Sequence, residues 1–222
     1  MLKIEMIMII IYIKEMRDEQ MHRSSRLTAK DFISIGLFSI LIYIVNAIVS
    51  MVLSPAVFVA MPLISGICLF FSATVYLLLA IRVGKRGTLF LMAVVTGIIY
   101  TLMGVALMLP FFAAAGLIGE ITLLPGNGTQ YRQIKRQAIA YASYGALFGM
   151  GAFVTIYTLG SSYFEKVNYP QALIERTIEF AYSPSWMISG LVFSFVFAWL
   201  GSIFSTRLLQ KHFVKAGYIT HQ

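Results

Sequence analysis

The chain has 222 residues, of which 59% are hydrophobic and only 12% are charged, whereas soluble domains carry about 25% charged residues. This composition excludes a soluble globular protein. A bilayer crossing needs about 20 apolar residues, so the chain has room for roughly five to seven membrane spans and no separate soluble domain. The formal net charge of +8 indicates membrane topology rather than nucleic-acid binding, because Lys and Arg accumulate on the cytoplasmic side of membrane proteins.

Residues 1–29 are predicted to form an N-terminal extension. Its apolar stretch MIMIIIYI, residues 6–13, is too short to cross a bilayer, and no small-residue cleavage site follows it. The extension is either an interfacial helix or the result of a misassigned start, with Met16 or Met21 as the true first residue. The membrane domain is expected to cover residues 30–222.

The membrane domain contains six apolar runs, of which the fourth is short. The predicted spans are residues 32–52, 56–81, 88–109, 111–124, 138–160 and 185–209. Pro110 is predicted to separate the third span from the fourth, because proline lacks an N–H and clashes with a continuing helix. An alternative start for the short fourth helix is the irregular ALMLP segment, residues 106–110.

Two basic clusters fix the predicted topology. RVGKR (residues 82–86) precedes the third span and YRQIKR (residues 131–136) follows the fourth. If both clusters are cytoplasmic, an even number of crossings lies between them. The sequence therefore predicts an all-α integral membrane protein, a bundle of six transmembrane helices with both termini in the cytoplasm and only Lys166 and Arg176 outside.

Glu120 is the only charged residue in the stretch GLIGEITLLPGNG, residues 116–128. It lies four residues before Leu124, about 6 Å of helix rise from the inner membrane boundary. At that depth we expect it to reach the headgroups or to pair with Arg132, Lys135 or Arg136. Its role is either structural or coupling, or that of an ion or substrate ligand.

The spans lack the usual equipment of an enzyme. His22, His212 and His221 lie outside them, and Cys68 is the only cysteine, so no metal site is predicted. A P-loop is excluded, because Gly84–Lys85 is followed by Arg86 and Leu79 stands at the first glycine position. We therefore expect no catalytic residues, no cofactor and no enzymatic activity.

Small residues recur on one face of the last two spans. They are Ala142, Gly145, Gly149 and Ala152 in the fifth span, and Gly190, Ser194, Ala198, Gly201 and Ser205 in the sixth. Such stripes let helix backbones approach closely in lipid, and intramolecular packing is the expected use of both. In the first span, Gly36 and Ser39 near the cytoplasmic end instead suggest a groove for another protein's helix.

Polar and aromatic residues gather at the predicted outer ends of the helices. Small-molecule pockets combine apolar and aromatic walls with a few polar groups. The residues that could face a ligand here are Asn46, Ser50, Ser54, Thr155, Tyr157, Thr158, Trp186 and Ser189. An interfacial aromatic belt is an equal interpretation of Trp186. The loop over residues 161–184 is long enough to form a helical lid.

Four segments together resemble the MptD (Trep/Strep) family. They are RLTAKDFISIGLFSILIYIV at the first span, the Pro110 turn followed by GLIGEI, YSPSWM at residues 182–187, and STRLLQKHFVKAGY at residues 205–218. The resemblance implies an S component of an energy-coupling factor (ECF) transporter in a bacterial cytoplasmic membrane. Such a subunit captures a vitamin-like or other micronutrient from outside. Its substrate contacts come from the first outer loop and from helices four to six, so the resemblance implies these substrate-binding residues by position: Asn46, Ser50, Thr155, Tyr157, Trp186 and Ser189.

The resemblance also implies partners and a coupling surface. The energy would come from a transmembrane coupling subunit and two ABC-type ATPases, to which S components present an Ala-x-x-x-Ala type surface on the first helix. Gly36 fits the first small position and Ile40 occupies the second, with Ser39 as a substitute. The alternative is a stand-alone secondary transporter that uses Glu120 as its proton or cation site.

Overall fold

The computed structural model describes residues 26–166 and 168–213, with side chains described as far as Leu209. Residues 1–25, which hold most of the predicted N-terminal extension, lie outside the described residues. Within the described part of the chain, every regular element is a helix. The helices are α1 (Ala29–Val52), α2 (Val57–Val83), α3 (Thr88–Leu102), α4 (Met108–Ile121), α5 (Ile134–Phe148), α6 (Gly151–Leu159), α7 (Ser162–Lys166), α8 (Gln171–Tyr182) and α9 (Pro184–Phe213), with short 3-10 turns at Ser54–Ala56 and Thr129–Arg132.

Four stretches of helix are long and apolar enough to cross a membrane. They are Ala29–Val52, Ser54–Val83, Ile134–Leu159 and Pro184–Leu209. Helices α3 and α4 are apolar but have only 15 and 14 residues, so each is about 21–23 Å long against about 30 Å of hydrocarbon. They pack on each other as a hairpin.

The apolar helices form a ring. Helix α1 contacts α2 and α3, α3 contacts α4, α4 contacts α5, and α9 closes the ring between α5 and α2. Helices α2 and α5 also touch across it. The core between them is built from side chains with almost no exposure, among them Leu69, Tyr76, Leu77, Tyr141 and Tyr144.

The small-residue stripes pack inside the molecule, as the sequence predicted. A Cβ added at Gly145 would lie 3.0 Å from the Cβ of Ala198, and one added at Gly201 would lie 2.5 Å from the carbonyl oxygen of Phe70. These distances leave no room for a side chain, so the stripes bring α5, α9 and α2 into backbone contact.

The break between α3 and α4 lies before Pro110, so the predicted break at Pro110 was wrong, whereas the alternative start within ALMLP is where α4 begins, at Met108. Helix α3 ends at Leu102, and Gly104 follows with φ +99°, a left-handed conformation that suits glycine. Pro110 lies in the first turn of α4. A proline is tolerated there because the first N–H groups of a helix have no intrahelical partner.

Candidate functional site

A cavity of about 660 Å³ lies at one end of the ring. Its walls come from the C-terminal half of α1, the N-terminal half of α2, the α3–α4 turn and the α5–α6 junction. We call this the cavity end. The opposite end, the basic end, carries the loops that connect α2 to α3 and α4 to α5, with Lys85, Arg86, Arg132, Lys135 and Arg136. The volume is within the range of small-molecule sites, about 300–1,000 Å³.

Irregular backbone surrounds the cavity. Helix α2 contains Ala60 in a non-helical conformation (φ −147°, ψ 34°), two residues before Pro62. Helices α5 and α6 are separated at Gly149 and Met150. Because proline cannot donate the hydrogen bond that would continue the helix, its neighbourhood bends. The wall helices are therefore interrupted at the level of the cavity.

Four aromatic rings from four helices form one wall. The rings of Tyr43 and Tyr100 are 5.9 Å apart and edge-to-face, those of Tyr100 and Phe112 are 5.3 Å apart, and those of Phe112 and Phe148 are 5.4 Å apart. All four residues line the cavity. Such ring contacts stabilise the protein beyond the burial of apolar surface. These four rings, which we call the aromatic wall, form a continuous surface from α1 to α5.

The segment after α6 covers the cavity. Tyr163 and Phe164 on α7, and Leu173 and Thr177 on α8, line it. Two contacts hold α8 in place: Arg176 Nε donates to the Phe58 carbonyl oxygen at 2.8 Å, and the Tyr157 hydroxyl donates to the Ala181 carbonyl oxygen. Within the predicted loop over residues 161–184, the described helices α7 and α8 thus lie over the cavity.

Most polar groups of the cavity are bonded within the protein. The Ser50 hydroxyl and the Cys68 thiol are 3.2 Å apart, and the Thr155 hydroxyl donates to the Gly151 carbonyl oxygen at 3.0 Å. Ser65 bonds Ser194 on α9 at 2.9 Å. These side chains have internal partners in α1, α2, α6 and α9.

Asn46 is the exception. It lines the cavity and is only 7% exposed. Among the described residues, its Oδ1 is the one buried side-chain oxygen or nitrogen without a hydrogen-bond partner. Leaving a buried acceptor unpaired costs its full desolvation free energy, about 1–3 kcal/mol. A group in that position requires an explanation, and a bound molecule with a donor provides one.

The cavity has no charged wall. None of the described residues that line it is Asp, Glu, Lys, Arg or His, and the described part of the chain contains no cluster of three or more potential metal ligands. The lining offers hydroxyl, thiol, thioether and amide groups among apolar and aromatic side chains. Its chemistry is that of a binding site.

The predicted substrate residues divide into two sets. Asn46, Ser50 and Thr155 line the cavity, whereas Tyr157, Trp186 and Ser189 do not. Tyr157 fastens α8 through its hydroxyl, and the Trp186 ring packs edge-to-face on Phe180 at 5.0 Å. Ser189 is exposed on the outside of α9. The structure therefore corrects the predicted positions of Tyr157, Trp186 and Ser189, because the outer end of a helix also has faces that turn away from the cavity.

The sequence prediction missed the aromatic wall and part of α2. Tyr43 precedes Asn46 by three residues, and Ser50 follows Asn46 by four. Helical residues three and four apart lie on one face, so the face carrying Asn46 and Ser50 also carries Tyr43. Ser65 and Cys68 have the same spacing on α2. No comparable signal in the sequence points to Tyr100, Phe112 or Phe148.

Glu120 lies at the basic end, away from the cavity lining. It is 7% exposed, and its Oε1 accepts a hydrogen bond from the Gly87 N–H at 2.6 Å, with Oε2 3.4 Å from the Phe90 N–H. These donors belong to the first turn of α3, whose N–H groups have no helical partners. Among the described residues no basic side chain forms an ion pair with Glu120, so the predicted pairing with Arg132, Lys135 or Arg136 was wrong.

The three predicted coupling residues on α1 point in different directions. Ile40 is 48% exposed, and a Cβ added at Gly36 would meet nothing within 4 Å. Ser39 is fully buried and its hydroxyl donates to the Ile35 carbonyl oxygen at 2.7 Å. Ser39 therefore faces the bundle interior, and the prediction that it substitutes as a surface small residue was wrong.

Comparison with known proteins assigns the chain to a family. The family model described as "Hypothetical bacterial integral membrane protein (Trep_Strep)" matches residues 29–215. The chain belongs to this family and is a multi-pass integral membrane protein. No curated protein and no solved structure matched the chain.

Proposed function

From membership of this family, we propose that the chain is the substrate-binding (S) subunit of an ATP-driven energy-coupling factor importer. It captures a vitamin-like or other micronutrient from outside the cell. It delivers that molecule to the cytoplasm by tilting against a transmembrane coupling subunit. It performs no reaction itself, and two ABC-type ATPases supply the energy.

The placement of the cavity carries the proposal. The cavity and the basic clusters occupy opposite ends of one helical ring. Basic loops accumulate in the cytoplasm, and with that orientation the proposed cavity faces the outer side under the helical cover of α7 and α8. A covered site for one small molecule on the outer side is what a capture subunit requires.

The proposed topology counts the α3–α4 hairpin as two short crossings. Together with the four long spans, this gives six transmembrane helices with both termini cytoplasmic, in a bacterial cytoplasmic membrane. Hairpin helices that are shorter than the hydrocarbon thickness are accommodated by local thinning or by neighbouring helices. The α3–α4 turn then lies within the outer leaflet, beside the cavity.

The proposed contact with the coupling subunit is the exposed side of α1. Gly36 leaves an opening beside Ile40, and the neighbouring side chains Phe32, Ile33, Leu37 and Leu41 are at least 45% exposed. Small residues permit close helix approach within a bilayer. A sliding contact of that kind suits a subunit that changes its tilt.

Purification from the native membrane in mild detergent tests the proposal. Mass spectrometry of the purified sample identifies both the accompanying proteins and the bound small molecules. We expect two ATPases and one coupling subunit. Recovery of the protein alone or as a homodimer, under conditions that preserve a known importer complex, would overturn the proposal.

A stand-alone secondary transporter with Glu120 as its proton or cation site has less support. Glu120 accepts hydrogen bonds from backbone N–H groups of the α3 start and lies outside the cavity lining. Substitution Glu120→Gln separates the two ideas. The S-subunit proposal expects ligand binding to persist, whereas the secondary transporter requires transport to be lost.

A further inference from the structure

We infer that the molecule captured in the cavity is uncharged at neutral pH, carries a planar ring, and has an N–H or O–H group that donates to the amide oxygen of Asn46. Asn46 is thereby the specificity-determining residue. This inference rests on the proposed function to the extent that the cavity is the capture site.

The Asn46 amide oxygen has no partner and almost no accessible surface, so it meets a donor on the ligand when the side-chain amide rotates toward the cavity, about a torsion that is broad and roughly two-fold. Of the cavity's polar side chains, Ser50, Ser65, Cys68 and Thr155 bond to partners within the protein. The Asn46 backbone carbonyl has a sulfur contact as well, because the Cys68 thiol lies 3.7 Å from it. Among the buried side-chain oxygens and nitrogens of the described residues, the Asn46 Oδ1 is the one without a partner. A site that hydrogen-bonds a substrate group rejects analogues without that group, since its own polar atom is then unpaired.

The lack of charged side chains around the cavity points to a neutral ligand. An ionised carboxylate or ammonium loses its hydration on entry and would find no opposite charge among the described lining residues. Arg176, the cation of helix α8, is engaged by the Phe58 carbonyl oxygen and by Glu179. Free amino acids, carboxylates and polyamines are therefore disfavoured relative to neutral molecules of the same size.

The aromatic wall points to a planar ring. Tyr43, Tyr100, Phe112 and Phe148 follow one another around one side of the cavity, at centroid distances of 5.3–5.9 Å. A planar ligand ring adds to such a series by stacking or edge contact. Asn46 lies on α1 one helical turn from Tyr43, so one ligand ring can contact the wall while its donor reaches the amide.

The probe is the low-molecular-weight fraction of yeast extract, separated by ion exchange at neutral pH into neutral, anionic and cationic pools. Each pool is added to the purified full chain in detergent. Binding is measured by thermal stabilisation, by mass spectrometry of retained molecules after washing, and by slower alkylation of Cys68, the single cysteine, which lines the cavity.

We expect the neutral pool alone to stabilise the protein and to protect Cys68. The retained compound should contain a ring with an N–H or O–H group. Asn46→Leu should weaken its binding by about tenfold or more, since a buried hydrogen bond is lost. Ser189→Ala is the matched control, because Ser189 is exposed outside the cavity, and it should bind as the wild type does. Asn46→Ala provides a second variant should the larger leucine perturb folding.

Three results would overturn the inference. They are protection of Cys68 by a charged pool, retention of a lipid with an acyl chain in place of a ring, and equal binding by wild type and both Asn46 variants. A charged compound that protects Cys68 would leave the capture function intact. If no pool binds and purification from the membrane yields neither ATPases nor a coupling subunit, both this inference and the proposed function fail.

Discussion

The two ends of the bundle differ in whether certain buried polar side chains have hydrogen-bond partners. At the basic end, the Tyr76 hydroxyl donates a hydrogen bond to Gln137 Oε1. The side-chain nitrogen of Gln137 in turn donates to the Tyr131 carbonyl oxygen at 2.7 Å. Glu120 accepts a hydrogen bond from the Gly87 N–H at the start of α3. At the cavity end, Asn46 lacks a partner and the helices are kinked. Within a bilayer, polar side chains that form hydrogen bonds between helices hold those helices together. A buried polar group without a hydrogen-bond partner indicates a binding site for another molecule.

The space around glycine also differs between Gly119 at the basic end and Gly151 at the cavity end. A Cβ added at Gly119, in the last turns of α4, would lie 2.6 Å from Leu89 Cδ2 and 2.9 Å from the Ala140 carbonyl oxygen. One added at Gly151, beside the cavity, would approach nothing closer than 3.4 Å. Gly119 is closely packed and Gly151 has room, although a Cβ added at Gly149, which also lines the cavity, would clash with Ser65 Oγ. Four pairs of substitutions test the comparison of the two ends.

The largest effect is expected for Gly119→Ala. The new methyl group meets a backbone oxygen that cannot move independently, so we expect a loss of about 3 kcal/mol in the free energy of unfolding, measured in mixed detergent micelles. The same substitution at the other end, Gly151→Ala, should change it by less than about 1 kcal/mol. Equal losses would show that the two ends are packed alike.

Next in size is Glu120→Ala. It leaves the N–H groups of Gly87 and Phe90 without their acceptor, and we expect a loss of about 2 kcal/mol. Glu120→Gln keeps one acceptor oxygen and should lose about half as much, with ligand binding unchanged. Loss of binding by a folded Glu120→Gln protein would contradict the structural role and favour the secondary transporter.

A third pair compares a paired polar group with an unpaired one. Tyr76→Phe keeps the ring, which stacks on Tyr141 at 4.4 Å, but removes the donor to Gln137, and should cost about 1.5 kcal/mol. Asn46→Leu removes an unpaired amide and should raise the stability of the unliganded protein by about 1 kcal/mol. Destabilisation by Asn46→Leu would mean that Asn46 has a structural partner.

The smallest effect on stability is expected for Arg176→Ala. Its ion pair with Glu179 and its bond to the Phe58 carbonyl oxygen are exposed, so the loss should be below about 1 kcal/mol. The cover over the cavity should nevertheless open more often, and Cys68 should be alkylated faster. Glu179→Gln keeps the bond to Phe58 and should leave the alkylation rate close to that of wild type. An unchanged rate in Arg176→Ala would show that this contact does not hold α8 down.

The cavity residues show how far sequence reasoning reaches in a membrane bundle. Asn46, Ser50 and Thr155 were predicted because polar residues at the outer ends of apolar helices suit a small-molecule pocket. Tyr157, Trp186 and Ser189 were predicted by the same argument and lie elsewhere. In a soluble helix the apolar face identifies the inside, but a helix in lipid is apolar all round. Polar and aromatic residues at the outer ends of α6 and α9 therefore do not by themselves indicate which side of the helix faces the cavity.

Composition determined by itself that this is an all-helical, multi-pass membrane protein. The small-residue stripes likewise predicted which faces of α5 and α9 pack inside, since only small residues allow such close approach in lipid. Tertiary structure decided the rest. The partner of Glu120, the position of the α3–α4 break and the unpaired amide of Asn46 depend on which backbone groups meet across the ring. Those contacts depend on distances between residues that are far apart in the sequence, and the spacing of residues along one helix does not predict such distances.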